Sequence, residues 1–156
     1  MNMEIVFFRH GNALSLSEAG VSSDAERPLS EKGEEEVTAS AANLERENFA
    51  PEIIISSPLK RAGQTAAIIS RRFKTEEVRF LNSLASSSDI GSILKSVIEL
   101  SAGKNALIVG HQPTLNILAR LISGEEELDL RTAGYALIEL EAPDKPAGKL
   151  KSNFNL

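Results

Sequence analysis

Residues 4–11 read Glu-Ile-Val-Phe-Phe-Arg-His-Gly. Its apolar, β-branched part, Glu4 to Phe8, predicts a strand. Arg9 and His10 follow at once, and Gly11 leaves room for a tight backbone or for the close approach of a ligand. The stretch therefore predicts a strand that ends in a guanidinium and an imidazole.

Strand and helix patterns alternate along the rest of the chain. Further apolar runs predict strands at Ile53 to Ile55, Val78 to Leu81, Ala106 to Val109 and Tyr135 to Leu140. Helical patterns occupy residues 30–48, 58–73, 89–100 and 113–122, and Ser57 is expected to cap the second helix. The alternation predicts an α/β fold, a three-layer α/β/α sandwich with a largely parallel central sheet. Residues 149–154 are expected to close a hairpin with the last strand.

The bulk composition limits the number of domains and the class of function. A chain of 156 residues is expected to form one domain, residues 1–156. Its net charge of −5 and its 4% of aromatic residues argue against a nucleic-acid partner. It has no cysteine, which excludes thiolate nucleophiles and cysteine-type zinc sites. Neither a signal peptide nor a run of transmembrane length appears in the sequence, so we expect a cytoplasmic protein without membrane contact.

One long polar segment lacks a clear periodicity. Residues 12–29 follow the first predicted strand directly and contain several serines together with Asp24 and Glu26. Loops of this length in a compact domain are usually functional or mobile.

Three charged or imidazole motifs follow three predicted strands. They are Arg9-His10-Gly11, the run Ser56-Ser57-Pro58-Leu59-Lys60-Arg61, and the run Gly110-His111-Gln112-Pro113-Thr114. In open α/β sheets, ligands bind where the carboxyl ends of the strands meet loops and helix starts. Each residue alone has an ordinary explanation, such as a solvated helix arginine or a hydrogen-bonded strand-end histidine. Their joint placement predicts one phosphate site formed by Arg9, His10, Arg61 and His111.

These motifs resemble the histidine phosphatase superfamily, also called the phosphoglycerate mutase-like family. The resemblance spans about residues 4–141 and includes Gln64-Thr65-Ala66, which follows Arg61. The short chain and the run Arg27-Pro28-Leu29-Ser30, with Gly33 after it, are most similar to the SixA-type phosphohistidine phosphatase branch.

The resemblance implies a phosphoglycerate mutase-like fold and a covalent mechanism. His10 would be the nucleophile, and Arg9, Arg61 and His111 would bind the substrate phosphate. No cofactor and no metal are implied. Water would then hydrolyse the phosphohistidine formed on His10.

The stretch after the third predicted strand departs from many relatives. Mutases and many acid phosphatases carry a carboxylic acid there, whereas Leu81 to Ser88 contains none and the next acid is Asp89. An alkoxide leaving group needs a proton from such an acid, but an imidazole needs less help. The missing acid therefore favours a phosphorus–nitrogen substrate over a sugar phosphate. The connection between the second and third predicted strands, about 22 residues, has room for only one helix and leaves an open rim. Such a rim suits a phosphohistidine carried by a protein, such as a histidine phosphotransfer domain.

Three alternatives remain open. The chain could hydrolyse a small phosphorylated metabolite, a sugar phosphate or a nucleotide, with Asp24, Glu26 or Asp89 as the acid. It could bind phosphate without turnover. Metal-dependent hydrolysis is disfavoured, because two histidines without cysteine make a poor ligand set.

Overall fold

A six-stranded sheet forms the centre of the computed structural model, which describes residues 3–86 and 89–156. The strands are β1 (Glu4–Arg9), β2 (Ile53–Ser56), β3 (Val78–Phe80), β4 (Ala106–Gly110), β5 (Tyr135–Ala142) and β6 (Lys145–Phe154). Their order in the sheet is β3-β2-β4-β1-β5-β6. Strands β1 to β4 pair in parallel, and β5 and β6 add antiparallel pairs at one side.

The helices cover both faces of the sheet. A short helix, α1 (Leu16–Ala19), buries no residue, and the covering helices are α2 (Glu31–Arg46), α3 (Lys60–Phe73), α4 (Ile90–Ser101) and α5 (Thr114–Ser123). Ile5 and Phe7 of β1 pack in a core with residues of α4 and α5, whereas Val6 and Phe8 pack in a second core with residues of α2 and α3. Successive strand residues point to opposite faces, so a strand buried on both sides is apolar throughout. The three-layer α/β/α sandwich is thus confirmed.

Several predicted boundaries need correction. Helix α3 begins at Lys60 rather than Pro58, and Leu59 rather than Ser57 occupies the cap position. The segment 12–29 is more ordered than predicted, since it contains α1 and a 3₁₀ turn, Asp24–Glu26. The predicted closing hairpin is present as β5 and β6, although β6 begins at Lys145, before residue 149.

No helix in the described part of the chain is long and apolar enough to cross a membrane.

Candidate active site

His10 lies at the point where β1 ends. Its main-chain N–H donates to the Gly110 carbonyl at the end of β4 (3.3 Å), and its carbonyl accepts from Ala133 N (3.0 Å). The ring atom Nδ1 is 2.7 Å from the Gly11 carbonyl oxygen. A carbonyl oxygen only accepts, so Nδ1 carries the proton and Nε2 of the neutral ring keeps its lone pair.

Gly11 allows a close approach between two main-chain segments. A Cβ at Gly11 would lie 2.6 Å from the Gly33 carbonyl oxygen in the first turn of α2. The Gly11 N–H donates to the buried Thr65 hydroxyl (3.2 Å), which in turn donates to the Arg61 carbonyl (2.9 Å). Gly11 was predicted to allow either a tight backbone or the close approach of a ligand, and the structure has the tight backbone.

His111 follows β4 and lies beside His10. The ring centroids are 5.0 Å apart, and the planes are tilted by 53°. His111 Nε2 is 2.6 Å from the Ser57 hydroxyl oxygen, and that oxygen also accepts from Leu59 N at 3.2 Å. The buried Nδ1 atom of His111 has no hydrogen-bond partner among the residues that the structure describes.

Arg61 is the second residue of α3, and its side chain is only 10% exposed. Its Nη1 donates to the Asp24 carbonyl oxygen (2.8 Å), and its Nη2 donates to the Asp24 carboxylate (3.1 Å). Arg27 donates to the other carboxylate oxygen of Asp24 (3.0 Å). These contacts of Asp24 and Arg27 were not predicted from the sequence.

Arg9 ends β1 and contacts the segment that follows α5. Its Nη1 donates to the Leu130 carbonyl (3.2 Å), and its buried Nε has no partner within residues 3–86 and 89–156. The C-terminal residues Asn153 and Asn155 both donate to the Asp129 carbonyl, at 3.1 and 3.0 Å. The tail therefore helps to fix the loop that holds Arg9.

Burial and neighbouring positive charge lower the pKa of both histidines. Burial, with Arg61 and Arg9 close by, lowers the pKa of His10 to about 4 despite the opposing hydrogen bond to Gly11. Burial and the His10 and Arg61 charges lower the pKa of His111 to about 3. Both rings are thus neutral near pH 7. Positive charge on Arg61 and Arg9 contributes to both shifts, and the two rings lie 5.0 Å apart.

A cleft of ≈ 440 Å³ opens beside these groups. Arg61 and His111 line it together with Asp24, and much of its wall is apolar, including Leu84 and Ile90. His10 and Arg9 are not among its lining residues. The centroid of the His10 ring lies 5.0 Å from that of His111, which does line the cleft.

Of the three carboxylates considered as acids, only Asp24 lines this cleft. Asp89 caps α4 and accepts from the N–H and hydroxyl of Ser92, both at 3.1 Å. Glu26 is exposed in the turn that also holds Asp24. Two residues of the acid-free stretch, Ser87 and Ser88, lie outside the described residues.

The described residues contain no group of three or more His, Cys, Asp or Glu side chains that could hold a metal ion.

The sequence also matches known proteins. Residues 5–86, more than half of the chain, match the family model described as histidine phosphatase superfamily (branch 1). This match contains His10 and Arg61. An uncharacterized protein of Picosynechococcus sp. (strain ATCC 27264 / PCC 7002 / PR-6) is 34% identical over 137 residues, which are 85% of this chain and 82% of the relative.

Solved structures share the fold. The protein histidine phosphatase SixA complexed with tungstate is 24% identical, with a TM-score of 0.84 over 98% of this chain and 97% of that chain. A phosphoserine phosphatase of Entamoeba histolytica, in complex with 3-phosphoglyceric acid, is 18% identical, with a TM-score of 0.64 over 99% and 98%. The fold is thus of the SixA type, within the phosphoglycerate mutase-like architecture. The match over more than half of the sequence, together with this fold, establishes that the chain belongs to branch 1 of the histidine phosphatase superfamily.

Proposed function

We propose that this chain is a metal-independent protein phosphohistidine phosphatase that transfers phosphate through a covalent phosphohistidine on His10. The observation that carries the proposal is the setting of the His10 ring. Its Nδ1 is fixed on the Gly11 carbonyl, and a second imidazole lies 5.0 Å away. Positive charge on Arg61 and Arg9 also lowers the pKa of the His10 ring. A neutral, oriented imidazole next to two guanidiniums suits nucleophilic attack on phosphorus.

In the first step, the lone pair of His10 Nε2 attacks the phosphorus atom. The bond between phosphorus and the substrate nitrogen breaks, and its electron pair stays with the departing imidazole. That imidazole leaves neutral if its distal nitrogen already carries a proton. The His10 ring becomes an imidazolium whose Nδ1–H still donates to the Gly11 carbonyl.

In the second step, water attacks phosphorus in line with His10. The Nε2–phosphorus bond breaks and returns its electron pair to the ring, which is neutral again. The water proton passes to the phosphate product or to solvent. The net reaction of the two steps is the hydrolysis of a phosphorus–nitrogen bond.

Arg9, Arg61 and His111 would stabilise the negative oxygens of the phosphoryl group during both steps. Guanidiniums bind such oxygens with two parallel hydrogen bonds, which a lysine cannot reproduce. Within the described part of the chain, Nε of Arg9 and Nδ1 of His111 are buried and have no hydrogen-bond partner. An acceptor would suit Nε of Arg9 and, once His111 is protonated, its Nδ1. Because negative charge raises a neighbouring imidazole pKa, bound phosphate would favour a protonated, donating His111.

The preference for a phosphorus–nitrogen substrate rests on the carboxylates near the cleft. The stretch Leu81 to Ser86 supplies no acid, and Asp89 is used as a helix cap. The hydrogen bond from Arg27, reinforced by Arg61, lowers the pKa of the Asp24 carboxyl. Asp24 is therefore ionised at neutral pH and has no proton to give to an alkoxide.

The surroundings of the histidines also argue for a reaction without a metal ion. Positive charge on Arg61 and Arg9 lowers the pKa of both imidazoles. The same positive charge repels a metal cation. The same charges attract a phosphoryl group. We expect full activity in the presence of a chelator, and loss of activity that added metal restores would contradict this part of the proposal.

A phosphatase for a small metabolite is the second candidate. It is favoured by the position of Asp24, whose carboxylate lines the cleft with Arg61 and His111. It is disfavoured by the apolar wall that includes Leu84 and Ile90, which suits a flat imidazole ring better than a sugar. A panel of phosphohistidine peptide, sugar phosphates and nucleotides separates the two, and faster turnover of the phosphate esters would favour the metabolite.

The decisive experiment traps the phosphoenzyme with labelled phosphohistidine peptide. The His10→Ala variant is expected to form no acid-labile phosphoenzyme and to show no turnover. The matched control is His111→Ala, which keeps the nucleophile and should still be labelled while turning over more slowly. Labelled or active His10→Ala would contradict the proposal. Phosphate binding by a wild-type protein without any turnover would instead support the non-catalytic module.

A further inference from the structure

Asp24 occupies the donors of Arg61 that a phosphate would use. The Nη1 and Nη2 atoms of Arg61 donate to the carbonyl oxygen and the carboxylate of Asp24, at 2.8 and 3.1 Å. These two nitrogens form the end of the guanidinium that binds planar or tetrahedral anions in a bidentate manner. One acidic residue therefore accepts a hydrogen bond from both terminal nitrogens at once.

A second guanidinium holds the same carboxylate. Arg27 Nη1 donates to the other oxygen of Asp24 at 3.0 Å. Arg27 is itself fixed, because its Nε donates to the Leu14 carbonyl at 2.7 Å. Asp24 thus lies between two guanidiniums, as an anionic ligand would. It also lines the cleft beside His111.

Two properties of Asp24 suit an exchangeable contact. Its side chain is 62% exposed, whereas that of Arg61 is 10% exposed. It belongs to a single 3₁₀ turn of three residues, Asp24–Glu26, within the segment that connects β1 to α2. The arginine is therefore the fixed partner, and the carboxylate can move away into solvent without unpacking a core.

We infer that Asp24 is an internal competitor of the phosphoryl group for Arg61 and thereby determines how tightly phosphate-bearing ligands bind. The inference rests on the proposed function only in that Arg61 binds the phosphoryl group. A ligand gains the Arg61 hydrogen bonds at the expense of those that Asp24 makes. After hydrolysis, return of Asp24 to Arg61 favours release of inorganic phosphate.

A role as general acid would require a different state of this residue. The hydrogen bonds from Arg27 and Arg61 lower the pKa of the Asp24 carboxyl, which keeps it ionised. A competing anion needs this ionised form, whereas a proton donor needs the neutral form. The two roles consequently predict opposite effects of replacing the carboxyl group.

The test measures binding of inorganic phosphate by calorimetry and by competitive inhibition of turnover. Asp24→Asn is expected to bind phosphate about two- to fivefold more tightly than wild type, the range for an ion pair with one exposed partner. The matched control is Glu26→Gln, which removes one negative charge from the same turn and should leave the affinity unchanged. Equal or weaker binding by Asp24→Asn overturns the inference. So does a large loss of kcat on a phosphate ester with unchanged phosphate affinity, because that result identifies a proton donor.

A double-mutant cycle links the effect to Arg61. In an Arg61→Ala background, the gain caused by Asp24→Asn should disappear, since the donors for which the two anions compete are gone. A gain that persists there would overturn the inference. Failure of the proposed function is measured separately, because it would appear as the absence of a phosphoenzyme in the wild-type protein. The binding of inorganic phosphate would still test the role of Asp24 in that case.

Discussion

Replacing Gly33 by alanine tests how tightly the start of α2 packs against the segment that carries His10. A Cβ at Gly33 would lie 2.0 Å from the main-chain oxygen of Asn12 and 2.9 Å from its main-chain nitrogen and carbon. Real Cβ atoms essentially never come closer than 3.0 Å to such atoms. Main-chain atoms cannot rotate aside as a side chain can, so the two segments must separate by about 1 Å.

The expected cost follows from three contributions. Alanine gains about 0.5–1 kcal/mol over glycine inside a helix. Overpacking costs about 1–3 kcal/mol. The separation also weakens two hydrogen bonds of Asn12, from Ser30 N to its carbonyl (2.9 Å) and from its N–H to Glu36 (3.0 Å), at about 1 kcal/mol each. We therefore expect the free energy of unfolding to fall by about 2–4 kcal/mol.

Gly63 provides the matched control, because it also lies inside a helix. Among the described residues, a Cβ there would meet the Phe80 ring alone, at 3.7 Å, which is an ordinary contact. Gly63→Ala should raise the free energy of unfolding by about 0.5–1 kcal/mol. Calorimetry should accordingly show a Tm lower by about 5–15 °C for Gly33→Ala and slightly higher for Gly63→Ala.

Turnover provides a second readout of the same substitution. Asn12 follows Gly11 directly, and the Gly11 carbonyl orients the His10 ring. A shift of about 1 Å in this segment should therefore lower kcat in protein that is still folded. If Gly33→Ala is as stable as Gly63→Ala and fully active, the close packing described here is wrong.

Two further predictions concern the same site. An NMR titration should give midpoints near pH 4 for His10 and near pH 3 for His111, and a midpoint near 6.5 would contradict their burial. Because these folded-state pKa values lie below the unfolded value, the two histidines should make the protein less stable as the pH falls from about 6.5 towards 4. Thr65→Val removes the buried hydroxyl between Gly11 N and the Arg61 carbonyl and should destabilise by about 1–3 kcal/mol. Thr65→Ser should retain most of the stability in urea unfolding, and equal loss in both variants would refute the role of the hydroxyl.

The convergence of the strand ends that carry the four candidate site residues could be predicted because it follows from sheet geometry. Parallel strands in register end together, and the structure pairs Arg9 with Gly110 and Ser56 with Val109. The residues next along the chain then meet at one edge. Only the periodicity of apolar runs and the positions of the motifs were needed.

The start of α3 was mispredicted because a serine before a proline has more than one use. Ser57 was expected to cap the helix through its hydroxyl. That hydroxyl does accept from Leu59 N, but it also lies 2.6 Å from His111 Nε2. His111 is 54 residues away from Ser57 in the sequence. Rules for helix caps consider only neighbouring residues and could not predict this contact.

One missed element did have a signal in the sequence. Helix α1 begins after Ser15, and Ser15 and Glu18 form a capping box in which each side chain bonds to the other residue's main-chain N–H. The pattern Ser-x-x-Glu is typical of a helix start. The four-residue helix buries no residue, so an apolar periodicity could not reveal it.

The partners of the two arginines show where sequence reasoning ends. Asp24 lies 37 residues from Arg61, and the Leu130 carbonyl lies 121 residues from Arg9. Neither pairing follows from strand order, because each partner belongs to an irregular segment whose path depends on many weak contacts. A main-chain carbonyl also carries no residue-specific signal at all. The sequence can therefore indicate which groups are candidates for binding phosphate, whereas the groups that contact these candidates become visible only in three dimensions.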